Sequence, residues 1–428
     1  MNLLIITICT LLASILSQHY ISLHPIVAYT ITFISASVFF LALAYQIFQR
    51  ELSNSTLFII ILASLAVRAS FITTMPVGSD DIYRYLWDGK VQSNSINPYA
   101  YAPVSAELQH LASKDIPLLV NQPAMKTIYF PLSEWIFYFS YRMSGEQVWG
   151  IKVLLLAAEI FTLYGLFLLT TLINIPRRFI LLYALCPLVF YEYAIDAHVD
   201  GFGLPLLIFS LYHYLGKKKL LSLLLLGFSL SIKPTGLVLL PIFFFFEKDW
   251  KERLKILLIP LITLALQFVP YLFTANPFES LTTFTKNWTF NGFVFNLLDS
   301  MIHDNQKSRL ICAVLLGAAI LLLAFSKKQL TGKIYYAILL LLLFSPIVHP
   351  WYAGWLAVTL PFSRRWSGLV FVSTISLTSF TYITFQLQGV WKEEPIFWII
   401  EYLPVVVFMM LELRNDHSAA SVVYSGSS

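Results

Sequence analysis

The stretch IVAYTITFISASVFFLALAYQ, residues 26–46, contains no charged side chain, and Arg50 follows shortly after it. A helix that crosses a bilayer needs about 20 mostly apolar residues, so this stretch predicts a membrane span. Comparable apolar runs recur along the whole chain. They lie at 2–17, 26–46, 55–75, 148–173, 179–195, 202–216, 220–233, 236–247, 254–274, 309–326, 333–348, 351–363, 367–386 and 396–413.

The composition excludes a soluble protein. Of the 428 residues, 58% are hydrophobic and only 12% are charged, whereas soluble domains carry about 25% charged residues. The net charge of +5 comes from basic residues in short loops, and no basic stretch with interleaved aromatic residues predicts a nucleic-acid surface. The three cysteines lie far apart in apolar runs, so they indicate neither a disulfide framework nor a metal site.

The basic residues test how the chain threads the bilayer. If the N-terminus is placed in the cytoplasm, every loop assigned to the inside holds Lys or Arg, which is the positive-inside bias. Among the shorter outside connections, only the one with Lys392 carries a basic residue. The basic residues assigned to the inside are Arg50, Arg177, Arg178, Lys217, Lys218, Lys219, Lys248, Lys251, Arg253, Lys255, Lys327, Lys328, Lys333, Arg364, Arg365 and Arg414.

We therefore predict an all-α polytopic membrane protein with about 12–14 transmembrane helices and an uncleaved first helix. The short pair 220–233 and 236–247 is expected to be tilted, broken or re-entrant, and 351–363 is also short. One transmembrane domain covers residues 1–413. Two long extracytoplasmic loops lie at 76–147 and 275–308, and the cytoplasmic tail 414–428 is polar and expected to be disordered.

The first polar cluster is GSDDIYRYLWDGK, residues 78–90. Ser79 suits an N-cap, and acidic residues in the first turn favour the helix dipole. Asp80, Arg84 and Asp88 share one helical face, while Asp81 points about 100° away. Two readings stay open: a capped interfacial helix with a salt-bridged stripe, or a helix that presents a catalytic carboxylate.

The second cluster is YEYAIDAHVDGFG, residues 191–203, where Glu192, Asp196, His198 and Asp200 crowd together. Carboxylates and imidazole suit a metal or phosphate site, although the spacing matches no fixed metal motif. The alternative is a solvated turn between two spans.

The third cluster is SIKPTG, residues 231–236, in which Lys233 precedes the helix-interrupting Pro234. Broken helices with a buried cation hold anionic ligands in membrane proteins. The alternative is a lysine that extends to the membrane interface.

The fourth cluster is VHPWYAGW, residues 348–355, where Trp351, Tyr352 and Trp355 follow His349. An aromatic belt would explain the rings, but it does not explain a histidine beside a proline at that depth. Two lone charges inside spans, Arg68 and Glu159, are expected to pair across helices.

These clusters all fall at span ends assigned to the extracytoplasmic side. Carboxylates, a histidine and cations above apolar helices suit an enzyme or carrier for an amphiphile with an anionic head.

The order of these motifs resembles the GT-C superfamily of membrane glycosyltransferases, which use polyprenyl-phosphate-linked sugars. The first loop, with GSDDIYRYLWDG, INPYAYAP and TIYFPLSEW, is similar to that of the catalytic GPI mannosyltransferase. AHVDGFG, SIKPTG and HPWY are similar to bacterial mannosyltransferase-like members. One departure is the adjacent acidic pair Asp80 and Asp81, where the eukaryotic enzyme has Asp-x-Asp.

The resemblance implies an inverting transfer of a hexose, with mannose favoured, to a lipid, glycan or protein acceptor. Asp80 or Asp81 would be the catalytic base. Arg84, Lys233 and His349 would bind the donor phosphate. A divalent cation, Mg²⁺ or Mn²⁺, if one is bound, would be held by Asp80, Asp81, His198 and Asp200. The residues implied in sugar or acceptor binding are Tyr83, Trp87, Asp88, Tyr129, His198, Asp200, Trp351 and Tyr352.

Two other functions stay open. A lipid-linked glycan flippase or transporter would suit the many spans, but it should place its charges near the midplane. An O-antigen-type polymerase or ligase would rely on arginines in large outer loops. The bacterial-like motifs favour a bacterial plasma membrane, and the positive-inside threading places both termini in the cytoplasm.

Overall fold

The computed structural model describes residues 2–18 and 20–425. The described chain is 74% helical and contains no β-strand, which confirms the prediction of an all-α polytopic membrane protein. The α-helices are Asn2–Ser17 (α1), Pro25–Gln49 (α2), Asn54–Ala69 (α3), Asp81–Ser93 (α4), Pro131–Ser144 (α5), Trp149–Leu172 (α6), Leu181–Ala184 (α7), Pro187–Val189 (α8), Gly203–Leu215 (α9), Lys219–Leu230 (α10), Leu240–Phe246 (α11), Trp250–Leu272 (α12), Glu279–Asn287 (α13), Phe293–Ile302 (α14), Asn305–Phe325 (α15), Leu330–Phe344 (α16), Gly354–Ala357 (α17), Leu360–Ser363 (α18), Trp366–Thr374 (α19), Ser379–Gln388 (α20) and Pro395–Ser425 (α21). A π-helical turn at Phe190–Ile195 and 3₁₀ turns at Ala106–Leu111, Arg177–Ile180, Val199–Phe202, Pro234–Leu239, Pro350–Ala353 and Ile375–Thr378 complete the secondary structure.

Six of the described helical stretches are long and apolar enough to cross a membrane. They are Pro25–Gln49, Trp149–Leu172, Trp250–Leu272, Asn305–Phe325, Trp366–Gln388 and Pro395–Asp416. A seventh span would combine Arg177–Ala184 with Pro187–Ile195, which are bent by 53°. Seven shorter apolar helices accompany them, so the predicted apolar runs are helical but several are shorter than a full span.

Two predicted apolar runs differ in shape from a simple span. Residues 351–363 form a 3₁₀ turn and two four-residue helices, because Pro350 and Pro361 each begin a new short element. The pair 220–233 and 236–247 is interrupted by the 3₁₀ turn Pro234–Leu239. In contrast, the predicted polar loop 275–308 contains the apolar helix α14.

The apolar side chains form two cores. The larger core joins the long helices. The smaller one, here called the loop core, packs α4 and α5 against α6 and the segment around residue 232. Ile82, Leu86 and Phe137 contribute to the loop core and are almost fully buried. The acidic helix α4 is therefore fixed on the membrane bundle by its apolar face.

The two lone charges within spans form the predicted pair. Arg68 on α3 lies 3.4 Å from Glu159 on α6, and both side chains are buried. The Tyr183 hydroxyl donates a hydrogen bond to Glu159 at 2.6 Å, and the Arg68 guanidinium covers the Phe190 ring at 3.9 Å. The prediction that Arg68 and Glu159 pair across helices is confirmed.

The end of the chain is also helical where it is described. Helix α21 continues to Ser425, so it includes most of the 414–428 tail for which the sequence predicts disorder. Residues 426–428 of that tail lie outside the described residues.

Candidate active site

The acidic pair lies at the start of α4. The helix begins at Asp81, with Asp80 as the N-cap residue, one position later than the prediction that made Ser79 the cap. Ser79 therefore lies one position before the N-cap, although its hydroxyl accepts a hydrogen bond from the Asp81 amide at 3.2 Å, whereas the Asp80 side chain makes no capping bond. Asp80 is exposed to solvent, whereas the Asp81 side chain is only 19% exposed.

Asn121 holds the two carboxylates together. Its side-chain amide donates to Asp80 Oδ1 at 2.9 Å and to Asp81 Oδ1 at 2.7 Å. Two adjacent anions repel each other, and a shared amide donor offsets part of that repulsion. Asn121 comes from the turn that precedes α5, about 40 residues away along the chain.

Arg84 positions the turn that carries Asn121. Its buried guanidinium donates to the backbone carbonyls of Asn121, Gln122 and Met125, each at 3.1 Å. Asp88 lies 4.0 Å away on the same helical face, as predicted from the spacing. The terminal N–H groups of Arg84 therefore bond within the protein. Contact between Arg84 and the phosphate of the sugar donor stays a prediction.

His198 lies directly behind Asp81. Its Nδ1 is 3.6 Å from Asp81 Oδ2, and its Nε2 is 3.4 Å from Glu192 Oε2. The imidazole stacks on the Trp351 indole with ring centroids 3.6 Å apart. The same indole stacks on His349 at 4.3 Å. The second and fourth sequence clusters thus meet the first one in a single site.

Lys233 contributes the cation of the site. It lies at the break between α10 and the turn Pro234–Leu239, and its ammonium is 2.9 Å from Asp200 Oδ1. The Trp355 indole N–H also donates to Asp200 Oδ1, at 2.9 Å. The ammonium lies 3.0 Å from the centroid of the Tyr352 ring, which is a cation–π contact. About a fifth of the Lys233 side chain stays exposed.

The aromatic residues predicted to bind sugar in the loop 76–147 separate into two groups. Tyr129 is half-buried, and its hydroxyl favours the ionised form of Asp81. Tyr83 is also half-buried. Trp87, in contrast, is 1% exposed and packs in the loop core, so the structure does not bring it to the surface of the site.

Asp88 of α4 is likewise buried. It interacts with Glu134 of α5, and both carboxyl groups have one buried oxygen without a hydrogen-bond partner. Burial raises the pKa of Asp88 to about 6 and raises the pKa of Glu134, which Asp88 raises further. Each carboxyl group disfavours ionisation of the other, so they form an acid pair. Asp88 of this pair lies 4.0 Å from Arg84.

The electrostatics of the site favour a base and a neutral histidine. Burial, together with Asp80, raises the pKa of Asp81 to about 6, while Asn121 and Lys233 act in the opposite direction. Burial and Lys233 lower the pKa of His349 to about 3. At neutral pH Asp81 is therefore mostly ionised, and His349 is a neutral hydrogen-bonding group.

The structure brings most of the predicted site residues together. The contacts and electrostatic neighbours above join Asp80, Asp81, Tyr129, His198, Asp200, Lys233, His349, Trp351 and Tyr352. Sequence reasoning missed Asn121 and Tyr29. The Tyr29 hydroxyl in α2 donates to Asp196 at 2.8 Å, and an asparagine in a loop or a tyrosine in an apolar run carries no signal of such a distant partner.

The residues placed to hold a metal ion differ from the predicted set. Among the described side chains, the potential ligands that come within 4.8 Å of one another are Glu192, Asp196 and His198. Only His198 belongs to the set implied by the resemblance. Asp200 already accepts from Lys233 and Trp355.

Comparison with known proteins gives one match. No curated protein and no solved structure matches the chain. The model of the MptA_B family, described as the N-terminal domain of alpha-(1->6)-mannopyranosyltransferase, matches residues 8–247. This range is more than half of the 428 residues, and it contains Asp81, His198 and Lys233. A mannosyltransferase family also confirms the predicted resemblance to membrane glycosyltransferases. The chain therefore belongs to the alpha-(1->6)-mannopyranosyltransferase (MptA_B) family.

Proposed function

We propose that this mannosyltransferase-family protein transfers mannose from a polyprenyl-phosphate donor, with inversion at the anomeric carbon. The acceptor is a lipid, glycan or protein hydroxyl on the extracytoplasmic face. The observation that carries the proposal is the position of Asp81, which is hydrogen-bonded to Asn121, faces His198 at 3.6 Å and interacts electrostatically with Lys233.

Asp81 is the general base. It is only partly exposed and its second oxygen faces His198, whereas Asp80 is exposed at the helix start. The acceptor hydroxyl gives its proton to Asp81 while its oxygen forms a bond to the anomeric carbon. Attack from the face opposite the leaving group inverts the configuration of that carbon.

The lipid phosphate is the leaving group. The bond between the anomeric carbon and the phosphate oxygen breaks, and the phosphate keeps the electron pair. This group already carries negative charge at neutral pH, so it needs a cation more than a proton. Lys233 fits this task because one N–H is directed at Asp200 and part of the side chain stays exposed. His349, which is neutral, adds a hydrogen-bond donor.

The aromatic side chains orient the sugar. Trp351 and Tyr352 contact His198 and Lys233 and are only half-buried, so their exposed parts are available to a sugar. Tyr129 lies next to Asp81. Asp200 fixes Lys233 and is placed to contact a sugar hydroxyl. Apolar helices beneath these residues suit the polyprenyl chain of the donor.

The acceptor approaches from the polar segments. An open cavity of about 380 Å³ lies between residues 100–107, the turn 124–126 and helix α13. The ion pair between Lys126 and Glu279, at 2.8 Å, joins its two walls. Arg84 binds the Met125 carbonyl in this turn and also the Asn121 carbonyl, so one wall of the cavity is joined to the residues that position Asp81. The bias of basic loops towards the opposite side favours an extracytoplasmic site in a bacterial plasma membrane.

A transfer assay with the purified full chain in detergent tests the proposal. Radiolabelled polyprenyl-phosphate mannose is supplied in parallel with a nucleotide-activated mannose, together with a mannose-containing acceptor. We expect transfer from the lipid donor alone, and a loss of about 10²–10⁴-fold in kcat for Asp81→Asn. Asp80→Asn is the matched control and should lose much less. Transfer from the nucleotide donor alone, or full activity of Asp81→Asn, would contradict the proposal.

A further inference from the structure

A second cluster of ligand-type side chains lies behind Asp81 and shares His198 with the site. Glu192 belongs to the π-helical turn Phe190–Ile195, and Asp196 and His198 follow it directly. All three side chains are at most 1% exposed. Their ligand atoms lie within 4.8 Å of one another. π-helical turns are rare and occur frequently at functional sites, because they redirect side chains that a regular helix would separate.

The histidine of this cluster is buried without a hydrogen-bond partner on either ring nitrogen. A buried imidazole normally bonds through at least one nitrogen. His198 Nε2 instead faces Glu192 Oε2 at 3.4 Å, and Nδ1 faces Asp81 Oδ2 at 3.6 Å. The Tyr382 hydroxyl, from a different helix, is also buried without a partner and has Glu192 and Asp196 as electrostatic neighbours. The cluster therefore contains a histidine with two unsatisfied ring nitrogens, and an unsatisfied hydroxyl from another helix lies in its electrostatic neighbourhood.

The two carboxyl groups have little counter-charge among the described side chains. No Lys or Arg of the described chain forms an ion pair with Glu192 or Asp196. Lys152 interacts electrostatically with Asp196, but its ammonium donates to the carbonyls of Phe71, Thr74 and Ile195. A buried carboxylate without full counter-charge is costly, and a bound proton or a bound cation would offset that cost.

We propose that Glu192, Asp196 and His198 bind a divalent transition-metal ion. Two carboxylates and one imidazole suit Zn²⁺ and Mn²⁺ better than Ca²⁺ or Mg²⁺. Metal–ligand bonds of about 2.0–2.2 Å place tetrahedral ligand atoms about 3.3–3.6 Å apart. His198 Nε2 and Glu192 Oε2 already lie 3.4 Å apart, and the remaining separations, which are within 4.8 Å, would have to shorten by at most about 1.5 Å. Tyr29 and the Val77 and Gly78 amides fix the Asp196 carboxylate by hydrogen bonds, so that this ligand is already oriented.

The orientation of His198 supports metal binding over a shared proton. Histidine ligands of metals almost always direct their second ring N–H to a carboxylate or carbonyl. Here Nε2 is directed at the cluster and Nδ1 at Asp81, which is the arrangement expected of a carboxylate–histidine–metal series. The ion would thus fix the orientation of the His198 imidazole, which faces Asp81 at 3.6 Å. Binding of the ion does not depend on the proposed sugar donor or acceptor.

Metal analysis of the full chain tests the inference without an activity assay. The protein is purified in detergent, its metal content is measured by mass spectrometry, and it is then treated with a chelator and titrated with Zn²⁺, Mn²⁺ or Mg²⁺. We expect about one equivalent of Zn²⁺ or Mn²⁺, a lower Tm after chelation, and recovery of Tm with Zn²⁺ or Mn²⁺ but not with Mg²⁺.

Variants locate the ion. Glu192→Gln and His198→Gln should each lose most of the metal and the response of Tm to metal addition. Glu134→Gln, which alters a buried carboxyl group of the loop core, is the matched control and should keep both. Cobalt substitution provides a second readout, since the visible spectrum of bound Co²⁺ should change in His198→Gln.

A shared proton predicts the opposite results. In that case the protein as purified would be free of metal, its Tm would not respond to a chelator or to any of the ions, and Glu192→Gln would be as stable as the unmodified chain. Any of these findings on the unmodified protein would overturn the inference, as would full retention of metal in Glu192→Gln.

Discussion

Asn121 donates a hydrogen bond to Asp81 at 2.7 Å and spans 40 positions of the sequence to do so. The same amide group bonds Asp80 at 2.9 Å, and Arg84 holds the carbonyl of Asn121 from behind. The direction of the Asp81 carboxylate is therefore set by residues outside the acidic motif. A base must be held at hydrogen-bond distance from the proton that it removes, so this support matters for transfer.

Replacement of Asn121 by Ala should lower kcat about 10- to 100-fold. The substitution removes two hydrogen bonds to charged groups, each worth about 1.5–3 kcal/mol, and leaves two adjacent carboxylates to repel each other. Tm should fall by no more than a few degrees, because Asn121 is half-buried and Asp80 is exposed, so that water can replace part of the lost bonds. Asn94→Ala is the control, since the Asn94 side chain donates only to the Lys90 carbonyl at an exposed position. Unchanged kcat in Asn121→Ala would show that the amide does not position the base.

Replacement of Lys233 by Met should reduce the use of the lipid donor. Loss of the cation beside the leaving phosphate should lower kcat/KM for the donor by about 100-fold, with a smaller effect on the KM for the acceptor. Asp200 would lose its partner at 2.9 Å, so Lys233→Met/Asp200→Asn is measured as well to separate the charge effect from misfolding.

Lys307→Ala is the matched control for Lys233→Met. It also removes a lysine from an ion pair, with Asp304 at 2.9 Å, but both side chains are accessible to solvent, and such pairs contribute little to stability. Donor saturation curves that are the same for Lys233→Met and the unmodified chain would rule out the proposed contact with the phosphate.

The sequence predicts the membrane class and the clusters of the site for a simple physical reason. Hydrophobic runs must be helical in a bilayer, and the positive-inside bias assigns span ends to sides. Each cluster ends or interrupts such a run, so motifs such as AHVDGFG and SIKPTG could be expected on one face. The contacts between His198 and Asp81 and between Lys233 and Asp200 accord with that expectation.

The partners within the site could not be predicted in the same way. Periodicity indicates which helical face is buried, but it does not identify what lies opposite. Trp87 is of the residue type expected to stack on a sugar, yet its side chain is packed within the loop core. Tyr29 belongs to an apolar run but bonds Asp196, 167 positions away. Such contacts depend on how helices pack, and a single sequence contains no direct record of that packing.

The acid pair of Asp88 and Glu134 should make stability depend on pH. Burial raises the pKa of Asp88 to about 6 and raises the pKa of Glu134, so the folded state binds protons that the unfolded chain releases. This contribution is fully present below about pH 4 and is lost as the pH rises through 6 and above. Glu134→Gln removes one of the two titrating groups and keeps an amide oxygen that can accept from Thr127, as Glu134 does at 2.7 Å.

We therefore expect Glu134→Gln to have a Tm higher than that of the unmodified chain at pH 8, by on the order of 2 °C, and a similar Tm at pH 5. Thermal unfolding in detergent across this range measures the difference. Glu107→Gln, at an exposed position, should follow the unmodified chain throughout. A Tm difference that does not vary with pH would exclude a proton held by Glu134.

Gly78 should tolerate no side chain, because it lies where the acidic loop meets the cluster behind the site. A Cβ atom at Gly78 would lie 2.5 Å from Asp196 Oδ2 and 2.9 Å from the Tyr29 ring and hydroxyl. The Gly78 amide also donates to Asp196 at 3.0 Å, so the loop cannot move away without the loss of that bond. Gly78→Ala should destabilise the protein by about 1–3 kcal/mol and reduce transfer, since the displaced loop carries Asp80 and Asp81.

Gly317→Ala in α15 provides the comparison, because nothing lies within 4 Å of its added Cβ and a helix gains about 0.5–1 kcal/mol from this change. Equal Tm values and equal transfer rates for the two variants would mean that the junction between Gly78 and Asp196 is not tightly packed.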